Sequence, residues 1–205
     1  MRTADSGLNG TRRKAILLQA AAELFAARGY HAVTTDQLGQ AVGISGPALY
    51  RHFGSKSDIL LQICNHAMDH LLAGAPAVVA SAGSHSEALT RLIGFHAEFA
   101  VHTRAGLAVY LREQQALPAQ QLRALKKRQR DYERIWVTSI RGATSLPEPD
   151  CRAAVKLLLS LLNGTAYLRD GLASSRVIEL LTQLGGGALR GLHDAAPSSE
   201  TDPMP

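Results

Sequence analysis

The stretch GISGPALYRHFGSKSDIL, residues 43–60, decides the fold. It reads as a turn, a helix of barely two turns between Ser45 and Gly54, and the start of another helix. Isolated helices below about 12–15 residues are marginal in water, so this one needs neighbours to hold it. Upstream, RRKAILLQAAAELFAARGY repeats apolar residues at Ile16, Ala20, Leu24 and at Leu17, Ala21, Phe25, one wide stripe at the helical period. Gly29 offers a left-handed stop, and Tyr30 covers the helix end. In TTDQ, Thr34 can cap a second helix with Gln37 as its capping-box partner, and Leu38, Ala41 and Val42 form its expected buried face. Gly43 permits the positive φ of a sharp exit. Ser45 then caps the short helix, and Pro47 falls in its first turn, where no intrahelical N–H is lost. Leu49 and Phe53 point inward while Tyr50, Arg51 and His52 lie on other faces. Ser55 with Asp58 caps a long helix carrying a Leu60, Ile63, Cys64, Ala67, Leu71 stripe. Two short helices joined by a glycine turn and braced by longer ones are the helix-turn-helix arrangement, whose second helix is offered to the major groove.

Charge points the same way. Residues 1–56 carry seven Lys/Arg against three Asp/Glu, whereas residues 57–205 carry fifteen against fourteen. A polyanion is therefore the expected partner of the first quarter. The 205 residues are 46% hydrophobic, enough to bury a core. No run of about 18 apolar residues and no signal peptide is present, so a cytoplasmic address and no membrane partner are expected. Cys64 and Cys151 read as core-filling thiols. No nucleophile elbow, phosphate-binding glycine loop or paired acid/base signature occurs, so neither an enzyme nor catalytic residues nor a cofactor is expected. Cys64, His66, Met68 and His70 are close in sequence, but two histidines on one helix do not complete a metal site. No metal is expected; a metal-responsive or effector-independent DNA-binding protein is the alternative reading.

Working outward, residues 1–10 and 194–205 are polar or Pro/Ser-rich and are expected to be disordered tails. Small residues after position 74 (GAPAVVASAGSHS) predict a break. Further helices are expected at roughly 86–102, 104–115, 119–142, 150–169 and 174–191, with prolines at 118, 147 and 149 marking breaks. No strand-like alternation occurs, so the chain reads as all-α. A helix-turn-helix domain over residues 11–56 precedes a helical effector-binding and dimerisation domain over 57–193.

Residues 12–60 resemble the N-terminal domain of the TetR family of bacterial transcriptional regulators. The likeness lies in LFAARGY followed by TTDQLGQAVGISGPALYRHFGSK, with the turn glycine, the Leu-Tyr pair, the His/Phe pair and the Lys opening the next helix. It implies that Thr34 and Thr35 touch phosphate, that Ser45, Gly46, Pro47 and Ala48 enter the groove, and that Tyr50, His52 and Lys56 grip the backbone. Asp36 departs from the basic or base-contacting residue that relatives often carry there. Gly46, Pro47 and Ala48 bring few hydrogen-bonding groups, so base reading is expected to lean on thymine methyls and DNA shape. The stretch AVYLREQQALPAQQLRALKKRQRDYERIW is similar to regulators of fatty-acid or sterol degradation that respond to acyl-CoA thioesters. The resemblance implies a repressor released from its operator by a small apolar effector.

Arg12 and Arg13, beside Lys14, could add phosphate or minor-groove contacts. A recognition helix of about eight residues is only ~12 Å long and faces three or four base pairs, so one copy cannot specify a site. A homodimer on palindromic double-stranded DNA repairs this. AVKLLLSLLNGTAYL and VIELLTQLGGGAL are apolar over more than one face, and the family pairs its last two helices in a four-helix bundle. The expected seam is Leu157, Leu158, Leu161, Leu162, Leu180, Leu181 and Leu184. For the effector, Phe95, Phe99, Leu107, Tyr110, Leu111, Trp136 and Tyr167 are candidate pocket lining and Arg112 a candidate polar anchor. The stripe Arg123, Lys127, Arg130, Arg134 reads as a solvated face or as a place for a thioester's nucleotide phosphates.

Overall fold

A computed structural model describes the backbone of residues 3–168 and 171–194 and the side chains of residues 13–168 and 171–192. Among the described residues there are nine α-helices: α1 (Thr3–Arg28), α2 (Thr35–Ala41), α3 (Gly46–Leu49), α4 (Lys56–Ala80), α5 (His85–His102), α6 (Arg104–Glu113), α7 (Ala119–Ala143), α8 (Glu148–Leu162) and α9 (Ser174–Asp194). Short 3₁₀ turns follow α6 and α8, at Gln114–Ala116 and Asn163–Tyr167. No strand occurs among the described residues, and the chain is all-α.

Two compact units result, one of residues 1–70 with 103–129, the other of 71–102 with 130–205. The expected division near residue 56 is not where packing divides the chain, because α6 belongs with α1. At the end of α1, Arg112 Nη2 donates to the Ala26 carbonyl at 2.5 Å, satisfying one of the acceptors that a helix C-terminus leaves open. Farther along, Arg128 of α7 donates to Asn65 Oδ1 at 3.0 Å and to Asp69 at 2.5 Å. The first unit closes over Leu17, Phe25, Val33, Leu38, Leu49, Phe53, Ile59 and Leu60, all buried.

The second unit buries Leu89, Leu92 and Ile93 of α5, Trp136 and Ile140 of α7, Leu162 of α8 and Val177 of α9. Helix α9 comes close to α5 at Gly185, where a Cβ would stand 2.9 Å from Ile93 Cγ2. The break expected in the small-residue stretch after position 74 falls at residues 81–84, later than its first glycine and proline suggest. Helix α4 runs on to Ala80 through Pro76, and Gly74 serves a close approach, since a Cβ there would lie 2.5 Å from the Phe95 ring. The backbone of α1 is helical from Thr3, inside the expected tail. Glycine weakens a helix by about 1 kcal/mol relative to alanine but does not stop one as proline does. The expected C-terminal tail lies, apart from Asp194, outside the described residues.

Candidate nucleic-acid interface

The interface is built from its caps. Thr34 Oγ1 accepts from the Gln37 N–H at 3.2 Å, and Gln37 Oε1 accepts from the Thr34 N–H at 3.0 Å, a complete capping box on α2. The exit from α2 uses Gly43 at φ +71°, a conformation that costs glycine little. The turn then passes directly over α2: the Ile44 N–H donates to the Gly39 carbonyl at 2.9 Å, and a Cβ on Gly39 would stand 2.6 Å from the Ile44 carbonyl oxygen. Ser45 caps α3 by accepting from the Ala48 N–H at 3.3 Å. Asp58 closes the far side, its carboxylate accepting from the Gly54 N–H at 3.0 Å while its own N–H donates to Ser55 Oγ at 3.0 Å.

Helix α3 is shorter than the eight residues expected, four only, Gly46–Leu49. After Leu49 the chain tightens, and the Leu49 carbonyl accepts from both His52 at 2.9 Å and Phe53 at 3.1 Å. Leu49 and Phe53 are buried as expected, and Tyr50 is 49% exposed. Ser45, Pro47, Tyr50 and Arg51 face outward, with Thr34 and Asp36 exposed at the start of α2 and Thr35 and His52 half-buried. Gly46 and Ala48, expected to enter the groove, are instead buried. A Cβ on Gly46 would meet the Asp36 carboxylate, and Ala48 is buried together with Leu49. Arg51, absent from the expected contacts, is exposed in the turn that follows α3.

Lys56 lies at the edge of this surface. Its Nζ is 4.4 Å from the Tyr30 ring centroid and donates to the His31 carbonyl at 3.5 Å. Burial pulls its pKa below the usual lysine value. The ammonium thus ties α4 to the end of α1 and has hydrogens left for a phosphate. Arg13 is exposed; the side chain of Arg12 lies outside the described residues. Lys14 Nζ is 5.6 Å from the Phe53 ring centroid, bracing the domain from α1.

The effector candidates divide between the two units. Leu107, Tyr110, Leu111 and Arg112 belong to the first unit, and Arg112 is committed to the Ala26 carbonyl. Phe95, Phe99, Trp136 and Tyr167 belong to the second, where Trp136 is fully buried and Tyr167 is 65% exposed. Phe99 and Trp136 lie edge-on to a polar residue of α5, His96. Its Nε2–H donates to Asn163 Oδ1 at 3.0 Å, and its Nδ1 accepts from the Tyr132 hydroxyl at 2.9 Å. Burial lowers the His96 pKa to about 4 against the opposing pull of Asn163, and burial raises that of Tyr132. The signal was present in the sequence: His96 falls on the α5 stripe between Ile93 and Phe99, where a core histidine needs partners from other helices.

On α8 and α9 the expected seam divides. Leu158, Leu162 and Leu181 are buried within the protomer, Leu161 and Leu180 are half-buried, and Leu157 and Leu184 are 73% and 58% exposed. On α4, Cys64 and Met68 face the core whereas His66 and His70 are exposed, and burial pushes the Cys64 thiol up to about 12. The four residues of the metal alternative thus lie on two sides of one helix. No helix among the described residues is long and apolar enough to cross a membrane.

Residues 17–63 match the family model for bacterial regulatory proteins of the tetR family, and residues 82–175 match that for a tetracyclin repressor-like C-terminal domain. The chain is similar to the HTH-type transcriptional activator FasR of Mycolicibacterium smegmatis, 32% identical over 46% of this chain and 43% of that protein. It is also similar to the HTH-type transcriptional repressor KstR2 of Mycobacterium tuberculosis, 30% identical over 61% of this chain and 63% of that one. The chain therefore spans less than two thirds of the length of either relative. Among solved structures, AibR in complex with isovaleryl coenzyme A and operator DNA has a TM-score of 0.71 at 19% identity, covering 84% of this chain and 97% of that one, a likeness of fold.

Proposed function

Because this chain belongs to the TetR family of bacterial regulatory proteins, we propose that it is a ligand-responsive repressor, a homodimer released from a palindromic operator by a small apolar effector such as an acyl-CoA or fatty-acid-like molecule. It is a DNA-binding transcriptional regulator and not an enzyme at the level of its family. The observation that carries the reading is the outward set Ser45, Pro47, Tyr50 and Arg51, on and flanking a helix too short to stand alone and held by caps on both sides. The repressor sense is supported by KstR2, which matches over more of this chain than the activator FasR. Coenzyme A thioesters are favoured by the sequence likeness of the α6–α7 region and by the ligand that AibR holds. The half-exposed leucines of α8 and α9 supply the pairing surface, and the cytoplasm is where such a dimer meets DNA.

Control of binding would run through α4, which starts at Lys56 beside the interface and contributes residues to both units. An effector that prefers the conformation in which the two recognition segments are off their spacing would release DNA, and only by as much as it discriminates between the two states. The test is selection of bound genomic fragments, followed by titration of the complex with acyl-CoA thioesters. Release by a thioester that binds the operator complex more weakly than the free dimer is expected; equal affinity for both removes the mechanism.

Two substitutions separate grip from scaffold. Tyr50→Ala should weaken binding of every fragment by about tenfold with an unchanged melting temperature, as removal of one exposed backbone contact does. Lys56→Ala should reduce the salt slope by about one unit, the signature of a lost phosphate contact, and should also lower the melting temperature because the tie to Tyr30 and His31 is lost. Unchanged affinity in both variants places the docking surface elsewhere.

A further inference from the structure

Helices α7 and α8 flank a cleft of about 360 Å³ within the second unit. Two cationic side chains come from each wall, Arg130 and Arg134 from α7 and Arg152 and Lys156 from α8. On each helix the pair is spaced i, i+4, so the two form facing rows along the cleft. Val137 and Val155 supply apolar lining between them.

The ionic pairing is incomplete in one direction. Glu148 is shared between Arg152 at 2.5 Å and Arg141 at 3.6 Å, and Arg134 pairs with Asp131 at 3.3 Å. Neither Arg130 nor Lys156 has a carboxylate partner among the described residues, and the carboxylates lining the cleft, Glu133 and Glu148, are outnumbered by its four cations. A fully solvated charged face would scatter its cations. Here α7 and α8 bring theirs to opposite sides of a concave space of the size that small-molecule sites occupy. Paired rows of guanidinium and ammonium groups suit an anion with more than one phosphate, since the fork of arginine accepts phosphate oxygens in pairs and lysine adds a point charge. The apolar lining then favours an anion that also carries a ring.

We propose that the α7–α8 cleft binds an organic polyphosphate of the nucleoside diphosphate class, held by Arg130 and Lys156 with Arg134 and Arg152 completing the clamp. The cleft lies in the second unit and the recognition segment in the first, so its test does not depend on the operator. A coenzyme A thioester carries a nucleoside diphosphate, so the proposal deepens the effector reading above, and ADP tests it without the thioester.

The probes are ADP, inorganic pyrophosphate and adenosine, titrated calorimetrically into the full-length protein. Saturable binding of ADP at one per protomer is expected, with pyrophosphate weaker and adenosine undetectable. Arg130→Gln and Lys156→Gln should each weaken ADP binding by about tenfold, as loss of a charge-assisted contact does. Arg123→Gln, on the same basic stripe of α7 but outside the cleft, should change it by less than about twofold. All three side chains are exposed, and unchanged thermal melts establish that the variants are folded. The proposal is overturned if ADP does not bind saturably, if pyrophosphate binds as tightly as ADP, or if Arg123→Gln costs as much as Arg130→Gln.

Discussion

Gly39→Ala should abolish specific DNA binding, lowering affinity by at least about 30-fold, and should destabilise the N-terminal unit by about 1–3 kcal/mol, the usual cost of forcing atoms into a packed contact. The sign makes this prediction sharp. Gly39 lies inside α2, where alanine is preferred over glycine by about 1 kcal/mol, so propensity alone predicts a gain. Sterics predict the reverse, because the new Cβ would stand 2.6 Å from the Ile44 carbonyl oxygen and 3.0 Å from the Gly46 nitrogen. Both neighbours are backbone of the turn, so relief requires α3 to move off α2. Gly46→Ala is the control. Its Cβ clashes with the carboxylate of Asp36, an exposed side chain that can rotate away, and meets backbone only at an ordinary 3.6 Å, the Asp36 Cα, so it should cost far less in both respects. Thermal melts and fragment binding measure both variants; a Gly39→Ala protein that is more stable and still binds its site contradicts the packing of the turn.

His96→Ala should destabilise the protein by about 3–5 kcal/mol at neutral pH, because it opens a cavity and leaves the Tyr132 hydroxyl and Asn163 Oδ1 without their partner. Its pH dependence identifies the cause. The ring is held neutral, with a folded pKa of about 4 against 6.5 for the ordinary side chain. Between those values the unfolded chain binds the extra proton and the folded one does not. The contribution of His96 is therefore fully present above pH 6.5 and declines as the pH falls towards 4, by about 3 kcal/mol in total. Urea unfolding of wild type and His96→Ala at pH 7.5 and pH 4.5 should show their difference shrinking by about 2–3 kcal/mol at the lower pH. A difference that stays constant excludes a neutral buried histidine.

Much of the recognition segment was legible because its signals are local. The capping box of Thr34 and Gln37, the left-handed glycines at 29 and 43, the Ser45 cap and the inward pair Leu49 and Phe53 depend on residues within five of one another. Positions set by packing against distant residues were read less well. Gly46 looks like a groove residue until the Asp36 carboxylate of α2 is seen against it. Gly74 and Pro76 look like a helix end until Phe95 is found against the glycine. His96 looks isolated because its partners are 36 and 67 residues away in sequence. Of the expected pairing leucines, Leu158, Leu162 and Leu181 belong to the protomer core and Leu157 and Leu184 do not; apolar character around a helix cannot by itself say which face meets which neighbour.

A gel shift on a selected palindrome, repeated with five base pairs inserted between its half-sites, tests the central claim most directly. Because about 10–10.5 base pairs make one turn, the insertion rotates one half-site to the opposite face of the duplex. Two recognition segments held at fixed spacing by a dimer should lose at least about 100-fold in affinity, retaining only what one short helix can supply. Equal affinity for the two duplexes would show that each copy binds alone, and the account of a paired grip would fall.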